Sequence, residues 1–197
     1  MNIILASQSP RRKELLERMG IKTFKTHAPN IDEHAFDGLP PEELVRKLSS
    51  EKAQAVAAHA GRSDLIIAAD TVVVLDGSVL GKPEDELDAF RMLSTLSGMR
   101  HQVYTGITVC HEDECITEHE VTDVYFRELG EEELEHYVKT GEPIDKAGGY
   151  GIQGYGALLV ERIVGDYYNV MGLPVCRLGQ MLSHFGVDCM KLAARAD

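Results

Sequence analysis

Ser7, Ser9 and Arg12 fall within "SQSPRR", and their types are those that bind phosphate oxygens. The hydroxyls donate hydrogen bonds, a helix start offers free N–H groups, and a guanidinium offers a planar fork. Ser9-Pro10 is also an ordinary way to cap a helix. Asp70 follows the apolar run "IIAA", at an expected strand end. A carboxylate there costs free energy if it is buried and unpaired. It reads as the cap of a turn, as a holder of a divalent cation, or as an acceptor of a proton from water, a role worth about 10² to 10⁴ in rate. In "LGKP" Gly81 lets a ligand approach the backbone, and Lys82 sits at a turn before Pro83; in "SSEKA" Lys52 falls within a helix. Each lysine also reads as an ordinary solvated side chain. In "DKAGGYGIQGYG" five glycines between 148 and 156 surround Gln153, just after Asp145 and Lys146. That density points to a loop shaped round a ligand. It is neither a dinucleotide fingerprint nor a P-loop.

These groups must be carried by a chain of 197 residues with 20 basic and 32 acidic side chains, a formal charge of −12. Such a balance argues against general nucleic-acid binding, and it makes the cluster Arg11-Arg12-Lys13 locally exceptional. No apolar run approaches the roughly 20 residues that span a bilayer. The apolar start stops at Ala6 and has no basic leader, so neither a signal peptide nor a membrane anchor is expected. Cys110, Cys115, Cys176 and Cys189 form no zinc-like pair of pairs and no evident disulfide framework. They are expected to be buried free thiols in a reducing cytoplasm.

The elements read as a strand over 2–6, a helix from Pro10 stopped by Gly20, a strand over 22–28, and a helix from Pro40 or Pro41 to about Ala60. "DLIIAADTVVVLDGSVLGKP" reads as strand, break, strand, turn, strand, with Asp76-Gly77 as the hairpin signal. A helix ending at Gly98 precedes two long β segments, 101–111 and 115–127. An acidic helix, the glycine loop, a strand in "ALLVERIVG" and an amphipathic helix in "LPVCRLGQMLSHFG" complete the order. This is an α/β chain with a mixed sheet, read as one domain over 1–197, with a weakly structured tail after about 188.

The order and content of "SQSPRR", Glu33 in "DEH", "SSEKA", "AADT", "GKP", "DKAGGYGIQG" and "GDYYNVMGLP" resemble the Maf family of nucleoside triphosphate pyrophosphatases over residues 3 to about 185. Arg12, Thr71 and Gln153 resemble the branch acting on dTTP and UTP. The resemblance implies a two-lobed fold with an elongated mixed sheet and a cleft between the lobes. It implies hydrolysis between the α- and β-phosphates with a divalent cation, Mg²⁺ or Mn²⁺, and makes Asp70 the proton acceptor.

On this reading Ser7, Ser9, Arg12, Lys52, Lys82 and Lys146 hold the triphosphate, and Glu33 and Asp70 hold the metal and its water. The lysines, Lys82 among them, stabilise the leaving pyrophosphate. Thr71 and Gln153 belong to the substrate-binding set. A glutamine amide can match the N3–H and a carbonyl of uracil or thymine together. Rival readings are a pyrophosphatase for a modified purine such as 7-methyl-GTP, and a non-catalytic nucleotide sensor in cell-division control. A homodimer is expected only from the symmetry of soluble enzymes.

Overall fold

The computed structural model describes residues 2–194. Its strands are β1 (Ile3–Leu5), β2 (Lys25–Thr26), β3 (Leu65–Leu75), β4 (Ser78–Leu80), β5 (Arg100–His111), β6 (Glu114–Phe126) and β7 (Val160–Val164). Its α-helices are α1 (Pro10–Arg18), α2 (Pro41–Ala57), α3 (Glu86–Leu96), α4 (Glu131–Lys139), α5 (Tyr167–Val170), α6 (Val175–His184) and α7 (Cys189–Ala193). The strands share one sheet in the order β2-β1-β3-β5-β6-β7, with β4 also paired to β3. β1 runs parallel to β2 and β3, whereas β4 and β7 run antiparallel to their partners, so the sheet is mixed as expected. No helix among the described residues is long and apolar enough to cross a membrane.

The chain divides into two compact units. Unit 1 holds the chain up to Asp70, Thr105–Glu120 and the chain from Gly172; unit 2 holds Thr71–Tyr104 and Val121–Met171.

In unit 1, Ser9 caps α1 by accepting from the Arg12 N–H, and Pro10 opens the helix with its fixed φ. α2 buries Leu44, Val45, Leu48, Ser49, Lys52, Ala53 and Val56, positions that recur every three or four residues and so line one face. That face meets β5 closely. A Cβ on Gly106 would lie 2.0 Å from the Val45 carbonyl oxygen, so only glycine fits there. Ile4, Ala6, Ala53, Val56, Ile66, Ala68 and Cys110 form a small core beside it.

In unit 2, Asp76 and Gly77 both take positive φ, which gives β3 and β4 the tight hairpin their Asp-Gly pair predicts. Leu93 and Leu96 of α3, Tyr137 and Val138 of α4, and Val103, Val124 and Phe126 from the strands share one core with Tyr150 of the glycine loop.

Several expectations are corrected. β3 is one unbroken strand, and Asp70 lies in its interior, not at an end. The charge is tolerated there because a lysine pairs with it. The second strand shrinks to Lys25–Thr26, and the helix "YYNV" had no sequence signal. Cys110 and Cys115 form a disulfide, with Cα atoms 4.1 Å apart. The two-residue connection between β5 and β6 sets them opposite each other, and spacing alone does not reveal that register. Cys176 is free and exposed, and Cys189 is free and half-buried, so none of the four is a buried free thiol. Within the tail, Cys189–Ala193 form α7: Asp188 caps it by accepting from the Lys191 N–H, and the Ala193 backbone packs on Gly20.

Candidate active site

In unit 1 the opening motif folds onto itself. Ser7, buried just after β1, accepts at Oγ from the Ser9 N–H at 3.1 Å and from an Arg12 terminal nitrogen at 3.4 Å. Arg12 Nε donates to the Gly172 carbonyl at 2.8 Å. Burial lowers the Arg12 guanidinium's affinity for its proton, while Asp70 and Glu33 nearby oppose that shift. Both carboxylates are therefore electrostatic neighbours of the arginine.

Lys52 joins those two carboxylates. Its Nζ lies 2.5 Å from Asp70 Oδ1 and 2.6 Å from Glu33 Oε1. Lys52 and Asp70 are 9% and 8% exposed, which excludes the solvated reading of the lysine; Glu33 is exposed. The helix places the cation. Lys52 follows Leu44 and Leu48 and precedes Val56 at four-residue steps on the buried face. Glu33 starts a 3₁₀ turn, Glu33–Phe36, in which Asp32 caps the His34 N–H at 3.1 Å. Lys47 lies over the Phe36 ring of the same turn at 5.4 Å, so the turn is held at α2 twice.

In unit 2, Thr71 follows Asp70 on β3 and is half-buried. Lys82 is exposed in the irregular segment after β4. The Gly81 carbonyl accepts from the Gly148 N–H at 3.0 Å, which ties "GKP" to the glycine loop. Lys146 Nζ donates to the Glu142 carbonyl at 2.7 Å and to Asp145 Oδ1 at 2.6 Å, using two of its three hydrogens. Gln153 is exposed in that loop.

Thus Ser7, Ser9, Arg12, Glu33, Lys52 and Asp70 gather in unit 1, and Thr71, Lys82, Lys146 and Gln153 belong to unit 2. Sequence reasoning missed two groups. One is the Gly172 carbonyl that holds Arg12, which lies within "GDYYNVMGLP" but carried no assigned role. The other is Glu142, hidden among the acidic residues about α4, whose carboxylate accepts from Tyr137 Oη, Tyr155 N–H and Gly156 N–H.

A profile of the family described as "Maf-like protein" matches residues 2–185. A protein of Clostridioides difficile (strain 630), named dTTP/UTP pyrophosphatase, is 51% identical over 187 residues, covering 94% of this chain and 95% of its own. One from Symbiobacterium thermophilum with the same name is 51% identical over 184 residues, covering 93% and 94%. The solved Staphylococcus aureus Ham1 protein matches with a TM-score of 0.52 at 13% identity, covering 95% of this chain and all of that one, a likeness of fold alone. With a profile match over nearly its whole length and relatives this similar, the chain belongs to the Maf-like protein family.

Proposed function

We propose that this chain hydrolyses dTTP and UTP between the α- and β-phosphates, giving a nucleoside monophosphate and pyrophosphate. The observation that carries the reading is the buried Lys52 ammonium, held by both Asp70 and Glu33 beside Arg12. The names of the relatives support the choice of substrate.

Asp70 is the proton acceptor. Lys52 takes Oδ1, so Oδ2 is the oxygen we assign to the transfer. As the water's proton moves there, its oxygen bonds to the α-phosphorus, the bond from that phosphorus to the bridging oxygen breaks, and pyrophosphate leaves with the electron pair. Ser7, Ser9 and Arg12 hold phosphate oxygens. Lys52, Lys82 and Lys146 offset the charge of the departing group. Gln153 and Thr71 bind the nucleoside, with the amide matched to the N3–H and a carbonyl of the base.

The donor set fits a divalent cation. Two carboxylates reach one cationic position, and their oxygens are hard donors. Mg²⁺ and Mn²⁺ sites of this kind take one or two protein carboxylates and complete their shell with substrate phosphate and water. No larger cluster of His, Cys, Asp and Glu suited to a metal occurs among the described residues. Glu33 and Asp70 would hold the ion, which when bound neutralises phosphate charge. The reading places the chain in the cytoplasm, where nucleoside triphosphates are made and used.

The test is pyrophosphate release from dTTP, UTP, CTP and 7-methyl-GTP with Mg²⁺. Release from dTTP and UTP well above the other two is expected. Preference for the methylated purine, or binding of nucleotides without release, overturns the proposal.

A further inference from the structure

The glycine loop is filled from within by one carboxylate. Glu142 Oε1 accepts from Tyr137 Oη at 2.9 Å and from the Gly156 N–H at 3.0 Å, and Oε2 accepts from the Tyr155 N–H at 2.8 Å. The Tyr137 oxygen in turn accepts from the Gly151 N–H at 3.2 Å. Burial first, with the neighbouring carboxylate adding to it, pushes the phenol's titration upward, so it remains a donor. Residues 151 and 156 are thereby fastened to one Glu–Tyr pair, and Gln153 sits on the turn between them.

The glycines of that turn follow from this filling. A Cβ on Gly154 would lie 2.2 Å from Glu142 Oε2, and one on Gly156 would lie 2.8 Å from the Tyr137 oxygen. The backbone must come this close for its N–H groups to reach the carboxylate. A charged acceptor taking three donors is a stiff anchor, since bonds to ionised groups are roughly twice as strong as neutral ones.

We propose that Glu142 is a positioning residue for base selection: with Tyr137 it fixes the turn that presents Gln153. This rests on the proposed pyrophosphatase activity. A loop free to move would present the amide in many orientations and lose the penalty for a mismatched base.

The experiment compares the parent, Glu142→Gln and Tyr137→Phe. It reads pyrophosphate release from UTP and CTP, and amide hydrogen exchange at 151–156 without nucleotide. Glu142→Gln keeps the shape but turns an NH₂ group toward backbone donors. Its KM for UTP is expected to rise about tenfold or more, and its UTP-to-CTP ratio of kcat/KM to fall by a similar factor, with a smaller loss in kcat. Exchange at Tyr155 and Gly156 should quicken. Tyr137→Phe removes one donor and should move every readout the same way by less, which keeps the test open if Glu142→Gln fails to fold. A folded Glu142→Gln with an unchanged ratio and unchanged exchange overturns the role of Glu142. If the carboxamide variant does not fold, an unchanged Tyr137→Phe does the same. A parent inactive on both nucleotides overturns the activity itself, whatever the exchange shows.

Discussion

Asp70 and Lys52 illustrate how a charge is kept in a buried strand. Removing one partner from a buried ion pair leaves the other uncompensated, which typically costs about 3–5 kcal/mol. Lys52→Met should therefore lose about that much stability in urea unfolding, because Asp70 would remain buried with no ammonium. Adding Asp70→Asn to it should restore much of the loss. If the two changes are simply additive, the pair is not coupled as its 2.5 Å contact implies. Asp70→Asn alone should lower kcat by about 10² to 10⁴ with little change in KM, the signature of a lost general base. A variant that keeps most of its turnover would remove Asp70 from the reaction.

Among the elements, the close approach of α2 to β5 is the contact most sensitive to one methyl group. Gly106→Ala would drive its Cβ into the Val45 carbonyl, and helix and strand would have to separate. Overpacking of this kind costs about 1–3 kcal/mol, read as a lower urea midpoint. Because α2 also carries Lys52, activity should fall with stability. The β5–β6 hairpin carries the Cys110–Cys115 bond, which closes a loop across only 5 positions. A loop this short restricts the unfolded chain little, so reduction should lower stability by about 2 kcal/mol or less. The Maf-like motifs made most of the candidate residues legible, yet Asp70 was expected at a strand end. Local pattern sees a charge interrupting an apolar run; it does not see the lysine from another element that makes the interruption affordable. Lys52 had a usable signal in its four-residue steps with Leu44, Leu48 and Val56. Glu142 had none, because two of its three donors are backbone N–H groups 13 and 14 residues further along the chain.

For the molecule as a whole, stability should depend on pH through His101. This imidazole is 1% exposed, shares a 2.8 Å hydrogen bond with Tyr150, and has no partner at Nδ1 among the described residues. Burial holds its pKa down at about 4, against an ordinary 6.5. Between those values the unfolded chain binds the proton and the folded chain does not, so stability falls as pH is lowered through that window. The slope is about 1.4 kcal/mol per pH unit, and the whole effect is on the order of 3 kcal/mol. Urea unfolding at pH 4.5 and pH 7 should show this fall in the parent and a much smaller one in His101→Gln. Equal falls would assign the dependence to other groups.

Much was already set by the order of residues along the chain. The α/β alternation, the capped start of α1, the Asp-Gly hairpin and the family follow from local propensity and short motifs, which act over a few residues. Long-range packing settled the rest. It put Asp70 inside a continuous strand, brought Glu33 and Asp70 onto one ammonium, paired Cys110 with Cys115, and filled the glycine loop with Glu142. Each of these joins groups distant in sequence or depends on strand register, and their energies exist only once the backbone has folded to bring the partners within a few ångströms.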